Sequence, residues 1–157
     1  MRNPGATLIL ILLILSPVAG HPGFAGSPDA DSEELQCLAL TLYWEARAGG
    51  RESMIAVAWV VLNRRSSPEF PDTLCAVVRQ GGEEPGCQFS YWCDGRQDEP
   101  TDLEAWDLAK KVAAAMIQSP PPDPTGGALF FHAADLNNPW SVPRTRTGKI
   151  GGHVFYR

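Results

Sequence analysis

The segment from Ile55 to Leu62 constrains the fold most strongly, because it has almost no polar side chain. A helix that is apolar on all sides is a buried one. The β-branched residues of this segment would also suit a buried strand. The alanines at positions 56 and 58 and the polar end at residues 63–65 favour a helix over residues 53–65. We therefore predict a buried helix here.

A second helix is predicted just before it. Asp31 or Ser32 can cap its start, and it runs to about Ala48, where Gly49-Gly50 ends it. At about 100° per residue, several apolar side chains fall on one arc, namely Leu35, Leu38, Ala39, Leu42 and Ala46. The carboxyl group of Glu45 lies at the edge of that arc.

The position of Glu45 has a chemical consequence. Burial disfavours the charged form and raises the pKa of a carboxyl group, and a Glu raised to about 6 is suited to donate a proton at neutral pH. Glu45 is therefore a candidate general acid. The alternative is an ordinary surface Glu whose charge pairs with Arg47 or Arg51.

The N-terminus has the pattern of a secretory signal. Residues 1–20 carry Arg2, an apolar run from Leu8 to Leu15, and small residues where a signal peptidase would cut. The run is shorter than the ~18 residues that a membrane span needs, so we expect cleavage and no stable membrane insertion. Residues 21–31, rich in Gly and Pro, are predicted to be a flexible leader. The remaining residues, 32–157, suit one domain with a core of useful size.

Export makes disulfides the expected state of the four cysteines. Four cysteines permit three pairings. Cys87 and Cys93 are close in sequence, so we expect them to pair, which leaves Cys37 with Cys75. A zinc site is the competing interpretation, but the chain has no Cys-x-x-Cys unit and its histidines are scattered.

The later segments predict shorter elements. Asp72 can cap a short helix over residues 73–80, and a capping box at residues 101–104 opens a helix that runs to about Gln118. Residues 125–132 read as a turn entering a short strand, and residues 145–156 suggest a terminal hairpin.

The loop between Cys87 and Cys93 is a candidate sugar-binding wall. Rings of Phe89, Tyr91 and Trp92 could face pyranose C–H groups, while Gln88 and Ser90 donate hydrogen bonds. The alternative is a packed aromatic loop. The net charge of −5 argues against nucleic acid as a partner, since binding to phosphates relies on clustered Lys and Arg.

Five ordered stretches together resemble the SleB-type cell-wall hydrolases, which include spore cortex-lytic enzymes. They cover the chain from about Leu35 to its end. The stretches are Tyr43-Trp44-Glu45-Ala46-Arg47, Ala56-Val57-Ala58 with Leu62-Asn63-Arg64, Cys87-Gln88-Phe89-Ser90, Asp123-Pro124-Thr125-Gly126-Gly127-Ala128-Leu129-Phe130-Phe131, and Ile150-Gly151-Gly152-His153-Val154-Phe155-Tyr156.

The resemblance implies an α+β, mainly helical, lysozyme-like catalytic domain with a small C-terminal β-hairpin, and it places the catalytic Glu of the family on Glu45. The implied substrate is the glycan strand of peptidoglycan, met in the periplasm or outside the cell. The sequence contains no pattern that identifies a protein partner.

The chain departs from the family at two places. The family usually continues after Glu-Ala-Arg with Gly-Glu, whereas Ala48-Gly49 follows here, and Ser53-Met54 stands where the family often has Gly-Gln. The missing acid leaves Glu45 without an obvious second carboxylate. That favours a lytic transglycosylase, which needs one acid/base and no metal or organic cofactor, over a hydrolytic muramidase, which normally uses two carboxylates. Hydrolysis stays open as an alternative, because other acids are available at Asp94, Asp98, Asp123 and Asp135.

Three further possibilities stay open. His153 could hydrogen-bond a sugar or Glu45, or could be a buried His that satisfies backbone groups. The chain could be a glycan-binding module without turnover. A zinc amidase could use His132, His153 and an acid.

Overall fold

The computed structural model describes residues 28–81, 86–137, 140 and 142–157. The predicted signal peptide and most of the predicted leader lie outside the described residues. The helices are α1 (Pro28–Ala46), α2 (Gly50–Arg65), α3 (Leu74–Val78), α4 (Ser90–Cys93) and α5 (Leu103–Gln118), and the strands are β1 (Phe130–Ala133), β2 (Arg146–Ile150) and β3 (His153–Tyr156).

Helix α2 is the buried helix that its apolar sequence predicts. The side chains of Met54, Val57 and Val61 are completely buried. Helices α1, α3 and α5 and strands β1 and β2 all contact α2. These contacts make α2 the centre of the core. Burial of each such side chain stabilises the fold by roughly 1.5–3 kcal/mol.

Helix α1 packs on α2 and α5 through the predicted apolar arc. Its ends differ from the prediction, since it begins at Pro28 and stops at Ala46. Gly49 and Gly50 do not form a loop between α1 and α2. A turn of 3₁₀ helix at Arg47–Gly49 leads directly into α2, and Gly50, at φ 64°, makes the bend. Only a residue without Cβ takes this φ readily.

Two predicted caps are wrong by one residue. Thr73, not Asp72, caps α3 by accepting a hydrogen bond from the Ala76 amide, and α3 ends at Val78. Asp102, not Thr101, caps α5 in the same way.

The shift at α5 has a tertiary cause. The backbone N–H groups of Thr101 and Asp102 both donate to Tyr43 Oη, at 3.1 and 3.0 Å. This bond from α1 anchors the chain just before the helix begins.

The strands form one antiparallel sheet in the order β1-β3-β2. The predicted terminal hairpin is β2–β3, and β1 pairs with the other edge of β3 from Phe130↔Tyr156 to Ala133↔His153. Phe155 is completely buried in a cluster with Ala56, Val60 and Ala128, which docks the sheet on α2.

Both predicted disulfides are confirmed. Cys37–Cys75 joins α1 to α3, with Cα atoms 5.3 Å apart, and Cys87–Cys93 closes the loop around α4. Among the described helices, none has the length and apolarity needed to cross a membrane.

Candidate active site

Glu45 lies in the last turn of α1 and is half-buried. Within the described part of the chain, its carboxyl group has no hydrogen bond or ion pair. Burial raises the pKa of Glu45 from its ordinary value of 4.5 to about 7. An isolated carboxyl group in a poorly solvated place keeps its proton near neutral pH. Glu45 is therefore poised to act as an acid.

The alternative of a surface Glu with an arginine partner is wrong. The Arg47 guanidinium lies over the rings of Tyr43 and Trp44, 4.6 and 4.8 Å from their centroids, and Arg51 is exposed. Neither forms an ion pair with Glu45.

Tyr91 of α4 packs against the Glu45 helix. Its hydroxyl shares a hydrogen bond of 2.9 Å with Thr41, one turn before Glu45, and its ring stacks on Trp44 at 6.5 Å. Burial raises the pKa of Tyr91, and the negative charges of Asp98 and Glu45 act in the same direction. The phenol therefore stays protonated. The sequence offered no signal for the Thr41 contact, which joins residues 50 positions apart.

His153 reaches Glu45 from the sheet. Burial lowers the pKa of His153, and a hydrogen bond to the Glu45 backbone opposes that effect. The ring meets Phe131 edge-on at 5.2 Å, and Nδ1 is buried without a partner among the described residues. The fold thus brings the imidazole of His153, whose neutral form is favoured by burial, to the backbone of Glu45.

The predicted sugar-binding wall is only partly present. Phe89 and Tyr91 are 1% and 6% exposed, so the expectation that their rings face a glycan is wrong. Phe89 packs on Phe131, and Tyr91 is held by Thr41. Burial of these two rings in the core stabilises the fold more than exposure of the rings to solvent would.

The other loop residues are accessible. Gln88 and Ser90 are exposed, while Trp92 is half-buried, with Arg79 5.0 Å from its ring centroid. Trp92 also lines a hollow of about 60 Å³ beside Cys37 and Val78. A larger open groove of about 610 Å³ is lined by Arg47 and the start of α5 and does not include Glu45. Volume alone therefore does not locate the chemistry.

Asp123, one of the acids available to a hydrolase, has a structural role. Its oxygens accept hydrogen bonds from Thr125, Asn63 and the Gly127 amide at 2.7 to 3.1 Å. Partial burial alone would raise the pKa of Asp123, but these bonds outweigh it and lower the pKa. The Asp-Pro-Thr-Gly-Gly sequence is a turn signal that could have predicted this role.

Metal ligands do not assemble around the histidines in the described residues. His132 has both ring nitrogens engaged, with the Ala133 carbonyl at 2.8 Å and Tyr156 Oη at 3.0 Å. A metal-compatible grouping in the described chain is Glu33, Cys37 and Cys75, but its two sulfurs form a disulfide. The zinc amidase hypothesis therefore has no three-ligand site here.

Solved structures of similar sequence share this fold. The chain matches the catalytic domain of the germination-specific lytic transglycosylase SleB from Bacillus anthracis with a TM-score of 0.63 and 31% identity, over 90% of this chain and 100% of that one. The catalytic domain of the Bacillus cereus SleB protein gives 0.62 and 31%, over 90% and 98%. The predicted α+β, mainly helical, lysozyme-like fold class is confirmed.

Curated relatives include the spore cortex-lytic enzyme of Oceanobacillus iheyensis, 34% identical over 137 residues, which are 87% of this chain and 46% of that protein. The corresponding enzyme of Halalkalibacterium halodurans is 32% identical over 83% of this chain and 36% of that protein. The chain thus spans less than half the length of these relatives.

The sequence profile described as Cell Wall Hydrolase matches residues 49–156 and begins just past Glu45. The profile match therefore gives no evidence about Glu45, whose role has to be argued from the residues around it. The matched segment includes α2, the aromatic loop and the whole sheet, which are most of the fold. Because this profile covers more than half of the chain, and because the curated relatives share about a third of its residues over most of its length, the chain belongs to the cell wall hydrolase family.

Proposed function

We propose that this chain is a peptidoglycan-cleaving enzyme, a lytic transglycosylase that cuts the bond between N-acetylmuramic acid and N-acetylglucosamine with Glu45 as its single acid/base. The observation that carries the proposal is the isolated, half-buried Glu45 carboxyl group with a pKa of about 7. A general acid works best when its pKa lies near the working pH. The family and the SleB likeness support the substrate class.

The reaction needs one proton to move twice. Glu45 protonates the glycosidic oxygen as the bond to the muramic C1 breaks, and the N-acetyl group of the substrate stabilises the positive charge that develops there. The Glu45 carboxylate then takes the proton of the C6 hydroxyl as that oxygen bonds to C1. The product is a 1,6-anhydro ring, and Glu45 recovers its proton.

A lone acid agrees with the electrostatics of the site. Burial alone accounts for the raised pKa of Glu45, with no contribution from another described carboxylate. Two carboxylates at the ~5–9.5 Å spacing used by hydrolases would shift one another. Asp123 is already committed to its turn.

Four side chains are proposed to position the glycan. Gln88 and Ser90 are exposed at the start of α4, Trp92 lies within α4, and His153 approaches the Glu45 backbone from the sheet. The glycan strand of peptidoglycan is the proposed partner. We also propose that the enzyme acts outside the cytoplasmic membrane, which the two disulfides support.

Mass analysis of sacculus digests tests the proposal. The wild-type chain should release muropeptides with anhydro ends, about one water lighter than reducing ends. Glu45→Gln keeps the shape but cannot donate the proton, so turnover should fall by about 10² to 10⁴ while binding to sacculi persists. Digests that contain only reducing ends would refute the transglycosylase. Full activity in Glu45→Gln would refute the role of Glu45.

A hydrolytic muramidase is the second candidate, and one observation favours it. The charges of Asp98 and Glu45 both act on the Tyr91 phenol, so both carboxyl groups lie within electrostatic range of the same side chain. Asp98 would then activate a water. In that case the wild type should give reducing ends, and Asp98→Asn should abolish turnover. Asp94→Asn, a change of a neighbouring exposed acid, is the matched control.

A glycan-binding module without turnover is the third candidate and is separated by the same digests. A pure binder should release no soluble fragment in either the wild type or Glu45→Gln, although both would sediment with sacculi.

A further inference from the structure

The hydroxyl group of Ser53 lies at the junction between the Glu45 helix and the sheet. Ser53 is completely buried near the start of α2, and its Oγ has no hydrogen-bond partner among the described residues. A buried hydroxyl without a hydrogen-bond partner destabilises a fold, because it has lost its bonds to water. Its place therefore calls for an explanation other than hydrogen bonding.

Two glycines from different elements close around this hydroxyl. A Cβ built on Gly49, in the turn after α1, would lie closer than 3.0 Å to Ser53 Oγ and 2.6 Å from Ser53 Cβ. A Cβ built on Gly151, in the β2–β3 turn, would also lie closer than 3.0 Å to Ser53 Oγ. The Ser53 side chain thus fills the space between the turn after α1 and the hairpin turn.

The two turns carry the residues of the candidate site. Gly49 ends the 3₁₀ turn that begins just after Glu45 and Ala46, and the hairpin turn leads directly to His153, whose ring meets the Glu45 backbone. The amide of Ala134 binds the Gly152 carbonyl at 2.7 Å, which ties β1 to the same turn. The separation of the turns therefore sets how closely His153 approaches Glu45.

We propose that Ser53 is a positioning residue for the acid/base, acting as a spacer that sets the approach of the His153 hairpin to the end of the Glu45 helix. The inference rests on the proposed function of Glu45. Ser53 touches no substrate, since it is completely buried. A spacer of this kind keeps water away from Glu45, and exclusion of water is what raises the pKa of that carboxyl group.

A cycle of space-changing variants tests the proposal. Ser53→Gly empties the space. Gly49→Ala overfills it without backbone strain, since φ at residue 49 is −95°. In the Gly49→Ala/Ser53→Gly double variant, a single Cβ fills the space again. Glu52→Gly, at an exposed position in the same turn of α2, controls for the flexibility that glycine adds to a helix.

We expect Ser53→Gly to lower kcat about tenfold with KM unchanged, because small displacements of a reacting group are costly. The alkaline limb of its pH profile should move about one unit lower as water reaches Glu45. Gly49→Ala alone should lower the Tm, and the double variant should recover both the Tm and the pH profile. Ser53→Ala, a milder change, gives the same readouts if Ser53→Gly does not fold.

Two results would overturn the spacer role. One is an unshifted pH limb and wild-type kcat in Ser53→Gly. The other is a double variant whose change in Tm equals the sum of the changes in the two single variants. These outcomes differ from failure of the proposed function, in which Glu45→Gln would remain active whatever happens at Ser53.

Discussion

At the scale of the residue, the surroundings of Glu45 are unfavourable for charge, which suits the acid role proposed for it. It sits in the last turn of a helix, where the C-terminal end of the helix dipole also disfavours a negative charge. Among the described residues no cation pairs with it. A site that stabilised the carboxylate would lower its pKa and remove its proton at neutral pH.

The activity of the wild type should depend on the proton of Glu45. With a pKa of about 7, the acid form is present below pH 7 and is lost above it. The value of kcat/KM should therefore fall about tenfold per pH unit above about 7. Release of soluble fragments from sacculi between pH 4 and 9 measures this. Activity that rises from pH 7 to 9 would contradict the role of Glu45 as acid.

Glu45→Gln should be more stable than the wild type at alkaline pH. The folded state holds the Glu45 proton up to about pH 7, against 4.5 when unfolded, so the free energy of unfolding falls as pH rises between these values. Gln has no charge to bury. The stability advantage of Glu45→Gln over the wild type should therefore be larger at pH 8 than at pH 4. After a discount for partial exposure, we expect this difference in the free energy of unfolding to be on the order of 1–3 kcal/mol. Urea titrations at both pH values measure it, and a gain that is equal at the two would count against a buried carboxylate.

At the scale of the element, α1 connects several parts of the molecule. It carries Thr41 and Glu45 toward the site, Cys37 toward α3, and Tyr43 toward the start of α5. Near its beginning, the Glu34 carboxylate accepts hydrogen bonds from the amides of Leu74 and Cys75, at 2.6 and 3.1 Å. A side chain of α1 therefore caps α3, a five-residue helix that would be too short to persist alone.

Two adjacent glutamates provide a matched test of this cap. Glu34→Ala should lower the free energy of unfolding by about 1–3 kcal/mol, because two amide groups lose a charged acceptor. Glu33→Ala removes an ion pair with Arg79 whose side chains are 42% and 59% exposed, and should cost about 0–1 kcal/mol. Urea unfolding of both variants measures the difference. Equal losses would mean that the cap adds nothing.

At the scale of the whole molecule, a mostly helical layer and a three-stranded sheet meet along α2. Asp123 binds Asn63 of α2 and the turn before β1, and Phe155 anchors β3 on α2. The disulfides lie on the helical side, where they hold α1, α3 and α4 around the apolar core. Packing and hydrogen bonds from α2 side chains together set the position of the sheet, and with it the position of His153.

The two disulfides should contribute unequally. Cys37–Cys75 spans 38 residues and Cys87–Cys93 spans 6. By loop-closure entropy, their removal should cost about 4 and about 2 kcal/mol. Unfolding of the paired Cys→Ala variants by urea tests the order. A larger loss at Cys87–Cys93 would show that local geometry, not chain entropy, dominates.

Local patterns predicted much of the fold. The apolar run of α2, the arc of α1, both disulfide pairings and the terminal hairpin were all predicted correctly, because each depends on periodicity, spacing or turn chemistry within a short stretch. The errors share a different cause. Asp102 caps α5 in place of Thr101 because Tyr43, distant in sequence, binds the backbone there. Phe89 and Tyr91 look like a sugar-binding wall by composition, yet Phe89 is buried against Phe131 of β1, and Tyr91 is buried against α1.

The sequence by itself determined that Glu45 lies at the border of an apolar helix face, because helical periodicity places it there whatever packs against it. Only the tertiary structure decided that no described residue pairs with this carboxyl group, that Tyr91 packs on its helix and His153 reaches its backbone, and that Ser53 separates two nearby turns. Those features depend on contacts between residues far apart in the chain. Desolvation arises from everything packed around a group, and no local pattern records it.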